Sequence, residues 1–210
     1  MSLELANVLA SMFTALVIAA TAIAALGQLR HMRMGNQITA LLALQTEFDT
    51  QEFRDAVVLV RQDLARMIED ESFCTFLVTY ARNREAVTIQ EDYLQLRQAA
   101  NLVANTYENL GALVKNGIID RRLFLDIYSW TVAGSWGQLE GFTAIGRAAS
   151  GTDSIFENFE YIAAISREWL KTNATTYPAN QVRLNAQLPK AAEKLFESGA
   201  LQTPSPDVSH

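Results

Sequence analysis

No proline occurs ahead of Pro178; the four in the chain, Pro178, Pro189, Pro204 and Pro206, all lie in its last third. Proline fixes φ and has no N–H to donate, so its absence removes the strongest helix breaker from everything upstream. Cysteine is scarcer still. Cys74 alone excludes an intrachain disulfide framework and fits a reducing compartment. Neither of the two histidines, His31 and His210, has a partner at helical spacing, so the common His-centred metal motifs are missing. Positive charge is in deficit: 17 Lys and Arg stand against 23 Asp and Glu, a net charge of −6. Nucleic-acid surfaces need a basic patch or stripe, so no nucleic-acid partner is expected. What is abundant is apolar material. Half of the 210 residues are hydrophobic, enough for a sizeable core and unlike a disordered chain.

Much of it is concentrated at the start. From Leu5 to Leu29 no residue is charged, with Glu4 on one side and Arg30 and Arg33 on the other. About 20 helical residues span a hydrocarbon core of about 30 Å, and a helix satisfies its own backbone polar groups there. Residues 5–27 are therefore expected to contact a lipid bilayer as a single transmembrane helix, with Arg30 and Arg33 as boundary anchors. The positive-inside rule puts the short N-terminus outside and the rest in the cytoplasm. Ser11, Ala15 and Ala19 place small residues on one helix face, a packing face for a second membrane helix. Two other readings stay open: a helix buried in a soluble bundle or pairing with another chain, and a cleaved signal peptide, which lacks its basic n-region here.

Beyond Arg33 the periodicity is helical. Phe53, Val57, Val60, Leu64 and Met67 alternate spacings of four and three, one stripe on a 3.6-residue period. Ile89, Tyr93, Leu96, Ala100, Val103, Tyr107, Leu110 and Val114 sustain the same alternation, and Ala99, Leu102 and Ala104 widen the face toward a bundle. Thr88 with Glu91 reads as a capping box. Asn116-Gly117 suits a helix C-cap, and Asp120 an N-cap for the next helix. Gly111 allows close packing, and Ile118 and Ile119 are expected to plug the resulting αα-hairpin into the core. Gly134, Gly137 and Gly141 mark either a helix break near 134 or close backbone approach. Trp130 and Trp136 are expected in the core. Asp153 is expected to cap a further helix from Ser154. A short helix, KAAEKLFESG, comes after Pro189, and the final TPSPDVSH reads as a disordered tail.

Chemistry is thinly represented. Cys74, in SFCTFLVTY, reads as a small buried hydrophobe. No G-x-S-x-G elbow occurs, and the glycines of AGSWGQLEG lack the Lys-Ser/Thr ending of a phosphate loop. Glu108, Glu140 and the pair Glu157 and Glu160 lie on different helices, and a bundle that turned some of them inward would resemble a di-iron site, without the E-x-x-H motifs such sites use. Solvated faces explain them more simply. Arg121 and Arg122 read as exposed residues of a first helical turn. No catalytic residue, metal ligand or cofactor site is assigned.

The order of segments is familiar nonetheless. A membrane-type helix leads into QLRHMR, then EFRDAVVLVRQDL, then YENLGALVKNGIIDRRLFLDIYSW and a later W-x-x-L before an arginine. This resembles the bacterial DUF4760 family, most evidently over 104–147 and more weakly over 28–68. The residues that carry the likeness are Tyr107-Glu108-Asn109-Leu110-Gly111, Leu113-Val114, Gly117-Ile118-Ile119-Asp120, Trp136, Leu139 and Arg147. Gly141-Phe142 departs from it, where a more polar, basic helix is expected. The resemblance implies helical architecture and membrane association, not an activity.

The expected organisation is all-α: a transmembrane and juxtamembrane segment over 1–35, an antiparallel bundle of about five helices over 36–172, and a C-terminal segment over 173–210. The expected function is a non-enzymatic interaction or regulatory module in a bacterial inner membrane, working with an unidentified protein partner or as a homo-oligomer. The alternatives are a soluble bundle that oligomerises through its N-terminal helix and a carboxylate or metal helical-bundle enzyme.

Overall fold

The α-helices of the first 173 residues track the apolar stripes along the chain. They are α1 Leu3–Phe48, α2 Gln51–Leu59, α3 Ala65–Met67, α4 Glu71–Arg82, α5 Glu91–Lys115, α6 Arg121–Ser150 and α7 Glu157–Thr172. A π-helical turn, Val60–Leu64, joins α2 to α3, and a 3-10 turn, Arg84–Ala86, comes after α4. The computed structural model describes residues 3–173 and, further on, 177, 180–182, 184, 187, 189–190 and 193–194. Among the described residues there is no strand, and the protein is an all-α helical bundle with a long apolar helix at its N-terminus.

Burial tracks the spacing. Phe53, Val60 and Leu64 are buried and Val57 and Met67 half-buried, all on the stripe facing the core. On α5, Leu96, Ala100, Val103, Tyr107, Leu110 and Val114 are buried, joined by Ala99 and Ala104 on the same broad face. Ile89 precedes the helix and is exposed. α5 and α6 form a hairpin in which the Ser135 hydroxyl donates to Tyr107 Oη at 3.2 Å. α6 and α7 run in opposite directions, as two ion pairs show: Arg147–Glu160 at 2.8 Å and Arg167–Glu140 at 3.3 Å. Phe159 of α7 lies between Tyr107, stacked at 4.9 Å, and Trp136, edge-on at 5.0 Å. Each such buried ring is worth about 1.5–3 kcal/mol of transfer free energy, so this aromatic layer is a main source of cohesion.

The chain divides into two units, residues 1–174 and 175–210. In the second, the Tyr177 hydroxyl donates to the Val182 carbonyl at 2.9 Å. The short helix expected over 190–199 and the tail after it fall for the most part outside the described residues.

Several local expectations need correction. α5 is not capped by Thr88: its N-cap is Gln90, which makes no side-chain capping bond. α6 runs unbroken through the exposed Gly134, the helix being held by the buried residues that flank it in sequence, Val132 and Trp136, despite a local propensity cost of about 1 kcal/mol. Trp136 is buried, but Trp130 is 79 % exposed: its position on α6 falls on the face opposite Val132 and Leu139. Ile119 is fully buried, whereas Ile118 is exposed. α7 starts at Glu157 rather than after Asp153, and its N-cap is Phe156 in the left-handed conformation, φ 55°. Cys74 is half-buried rather than buried, its thiol donating to the Ile68 carbonyl at 3.0 Å.

Candidate functional site

The hairpin between α5 and α6 is built residue by residue. Asn116 is the C-cap of α5, and Gly117 comes next at φ +67°. Gly117 N–H donates to the Val114 carbonyl at 3.1 Å and Ile118 N–H to Leu113 at 3.0 Å. That pair of bonds is a Schellman motif, and it satisfies carbonyls the helix end would leave orphaned. Asp120 then accepts from Leu123 N–H at 2.9 Å and opens α6. One turn into α5 from the hairpin, Gly111 lies directly against the Asn158 backbone of α7; a Cβ there would fall on the Asn158 carbonyl.

Beside that contact is the polar link the sequence does not reveal. Glu108 accepts from Asn158 Nδ2 at 2.7 Å and from the Phe159 backbone N–H at 2.9 Å. A carboxylate from α5 thus performs for α7 the capping that its own Phe156 cannot. The other carboxylates raised from the sequence are engaged in similar work. Glu140 and Glu160 pair with Arg167 and Arg147, and Glu157 lies 3.6 Å from Lys115. Among the described residues no group of three His, Cys, Asp or Glu is placed to hold a metal ion. Burial, reinforced by Glu69 and Asp70, pushes the Cys74 thiol above its ordinary pKa, which disfavours the reactive thiolate. A cleft of about 400 Å³ opens between the π-turn and α5, lined by Leu59, Asp63, Arg66, Met67, Asp92 and Tyr93. Asp63 and Arg66 pair with each other at its rim, 2.9 Å apart.

The opening helix has a different character. α1 is 46 residues long, roughly 70 Å at 1.5 Å per residue. It is long and apolar enough to cross a membrane, and none of its most apolar window is buried. Phe13, Leu16 and Ile23 are each about 70 % exposed. Ser11, Ala15 and Ala19 are exposed on the same rod, as are Arg30 and Arg33. Thr14 and Thr21 turn their hydroxyls back onto the Ala10 and Val17 carbonyls, 2.9 and 2.8 Å away, so they add little exposed polarity.

α1 continues past residue 35 without interruption and joins the bundle only in its last turns. Leu44 is buried, and Ala40, Leu41 and Phe48 pack on the core. Phe48 sits 5.2 Å from Phe53, 5.8 Å from Tyr107 and 5.7 Å from Tyr128, ring centre to ring centre. Thr106 donates to Glu47 across the same junction at 3.4 Å. Burial raises the pKa of both Tyr107 and Tyr128, and the neutral phenols suit an aromatic cluster. The signal for this junction was available: Leu41, Leu44 and Phe48 carry the three-four spacing into the end of an otherwise all-round apolar helix.

Neither a curated protein nor a solved structure matches the chain. A family match does exist, and it covers residues 15–169, from inside the apolar rod to the last turn of α7 and through Gly141-Phe142. By that match the chain belongs to the family described as a domain of unknown function, DUF4760.

Proposed function

We propose that this protein is a single-pass, membrane-anchored interaction module, its helical domain held at the cytoplasmic face of a bacterial inner membrane and its N-terminus outside. The observation that carries the reading is the bare apolar rod of α1, none of whose most apolar window is buried, clamped to the bundle through Phe48. Exposing this much contiguous apolar surface to water is unfavourable; hydrocarbon removes the cost and leaves the backbone fully bonded. Arg30 and Arg33 mark the cytoplasmic boundary. The bundle's interhelical carboxylates hold helices together, which suits a scaffold that presents surfaces to a partner.

Membrane fractionation tests it. The full chain should stay with native membranes after carbonate and high-salt washes and leave only with detergent. Release by carbonate, as a dispersed oligomer, would instead favour a soluble bundle that associates through α1.

A further inference from the structure

The solvent face of α6 carries Leu123, Ile127 and Trp130 in its first half and Gly134, Gly137 and Gly141 in its second. All six share one face at helical spacing. The three large side chains are 39, 53 and 79 % exposed among the described residues. The glycines leave a trough. Nothing lies within 4 Å of a Cβ built on Gly134, and only the tip of Arg167 approaches one on Gly137; Ile68 closes the far end, over Gly141. Large residues succeeded by small ones on one face make that face complementary to itself in reverse.

We propose that this face docks a second copy of the chain, the two α6 helices packing antiparallel about a two-fold axis. Seating Trp130 on Gly134 of the second copy also seats Ile127 on Gly137 and Leu123 against Gly141 and its Ile68 lid. One register satisfies all three, and the two-fold axis repeats them with the copies exchanged. Charge agrees with shape. Arg122, Asp126 and Glu140 lie on one flank of the face, and a two-fold axis brings like flanks together. Arg122 and Asp126 make no ion pair among the described residues. In this register Arg122 meets Glu140 of the second copy, and Asp126 meets Arg167, which Glu140 holds at that edge. A single helix pair is a small interface, so the dimer is reversible. It rests on the helical domain alone and stands whether or not α1 enters a membrane.

The test uses the full chain in mild detergent, with Cys74→Ser to remove the native thiol. Thr131→Cys, exposed beside the axis, should give a disulfide-linked dimer on mild oxidation. Asp153→Cys, exposed in the turn before α7, should not. Gly134→Leu fills the trough while facing open space within one copy, so it should keep the helical spectrum and thermal stability and reduce cross-linking at least tenfold. Trp130→Ala should reduce it similarly. A monomer at all concentrations overturns the proposal, as does a dimer whose cross-linking at 131 is absent or indifferent to Gly134→Leu. A dimer abolished only by enlarging Ser11, Ala15 and Ala19 would assign association to α1 and overturn it equally.

Discussion

Gly111 and Gly134 show how little a residue's identity says before its surroundings are known. Both stand inside helices, where glycine costs up to about 1 kcal/mol relative to alanine. At Gly111 the cost is offset, because the missing Cβ lets the α7 backbone lie against α5 at Asn158. At Gly134 nothing inside one copy offsets it. The same substitution should therefore have opposite outcomes. Gly111→Ala should destabilise the bundle by about 1–3 kcal/mol through overpacking, since the obstacle is backbone that a rotamer change does not clear. Gly134→Ala should raise stability by up to about 1 kcal/mol. Thermal unfolding monitored by circular dichroism distinguishes them, with about 2–4 °C expected per kcal/mol in a chain of this size. Equal shifts at the two sites would contradict the packing at Gly111. The sequence marked Gly111 for close approach because it sits in a hairpin pattern; it offered no means of telling that Trp130, on an equally apolar helix, faces solvent. Periodicity locates a stripe, and which stripe meets the core depends on neighbours that are distant in sequence.

Elements were legible to the extent that their signals are local. α5 and α6 could be read with their Schellman turn and Asp120 cap, because every donor and acceptor lies within a few residues. α7 could not. Its start at Glu157 depends on Glu108, fifty-one residues upstream of the Phe159 N–H it accepts from, and no short-range pattern encodes that bond. Asp153 offered a better local cap, yet the chain uses its turn to reach α5 instead. The dependence has a measurable consequence. Glu108→Ala strips α7 of its cap and leaves the Asn158 amide without its carboxylate, which should cost about 1–3 kcal/mol. Hydrogen exchange should report it first in the opening turns of α7, with α5 and α6 less affected. Uniform loss of protection across the bundle would mean that Glu108 supports the fold as a whole and not this element. Glu108→Gln, which keeps an acceptor but loses the charge, should recover part of the loss.

At the scale of the molecule, α1 is both the most apolar element and one continuous helix from Leu3 to the aromatic junction at Phe48. In the sequence, residues 5–27 stand apart from the rest of the chain, because Arg30 and Arg33 interrupt the apolar run. The helix ignores that chemical boundary, since charge on an exposed helix face does not disturb backbone hydrogen bonding. The result is a rod whose outer part is apolar and exposed and whose inner end is held by protein, so under the membrane anchoring proposed above, orientation in the bilayer would fix the side on which the bundle lies. The chain carries its own reporter of that side. The sequence Asn173-Ala174-Thr175 is a glycosylation acceptor triplet whose Asn173 is the C-cap of α7, and it is modified only if that part of the nascent chain enters a lumen. Translated in the presence of microsomes, the chain should insert and remain unglycosylated, because two arginines after the span and none before it retain the bundle on the cytosolic side. Arg30→Glu with Arg33→Glu removes that bias, and a fraction of the chain should then gain one glycan that Asn173→Gln abolishes. Modification of the unaltered chain would reverse the assigned orientation while leaving the anchor intact. Absence of insertion in both forms would instead return α1 to a role in water.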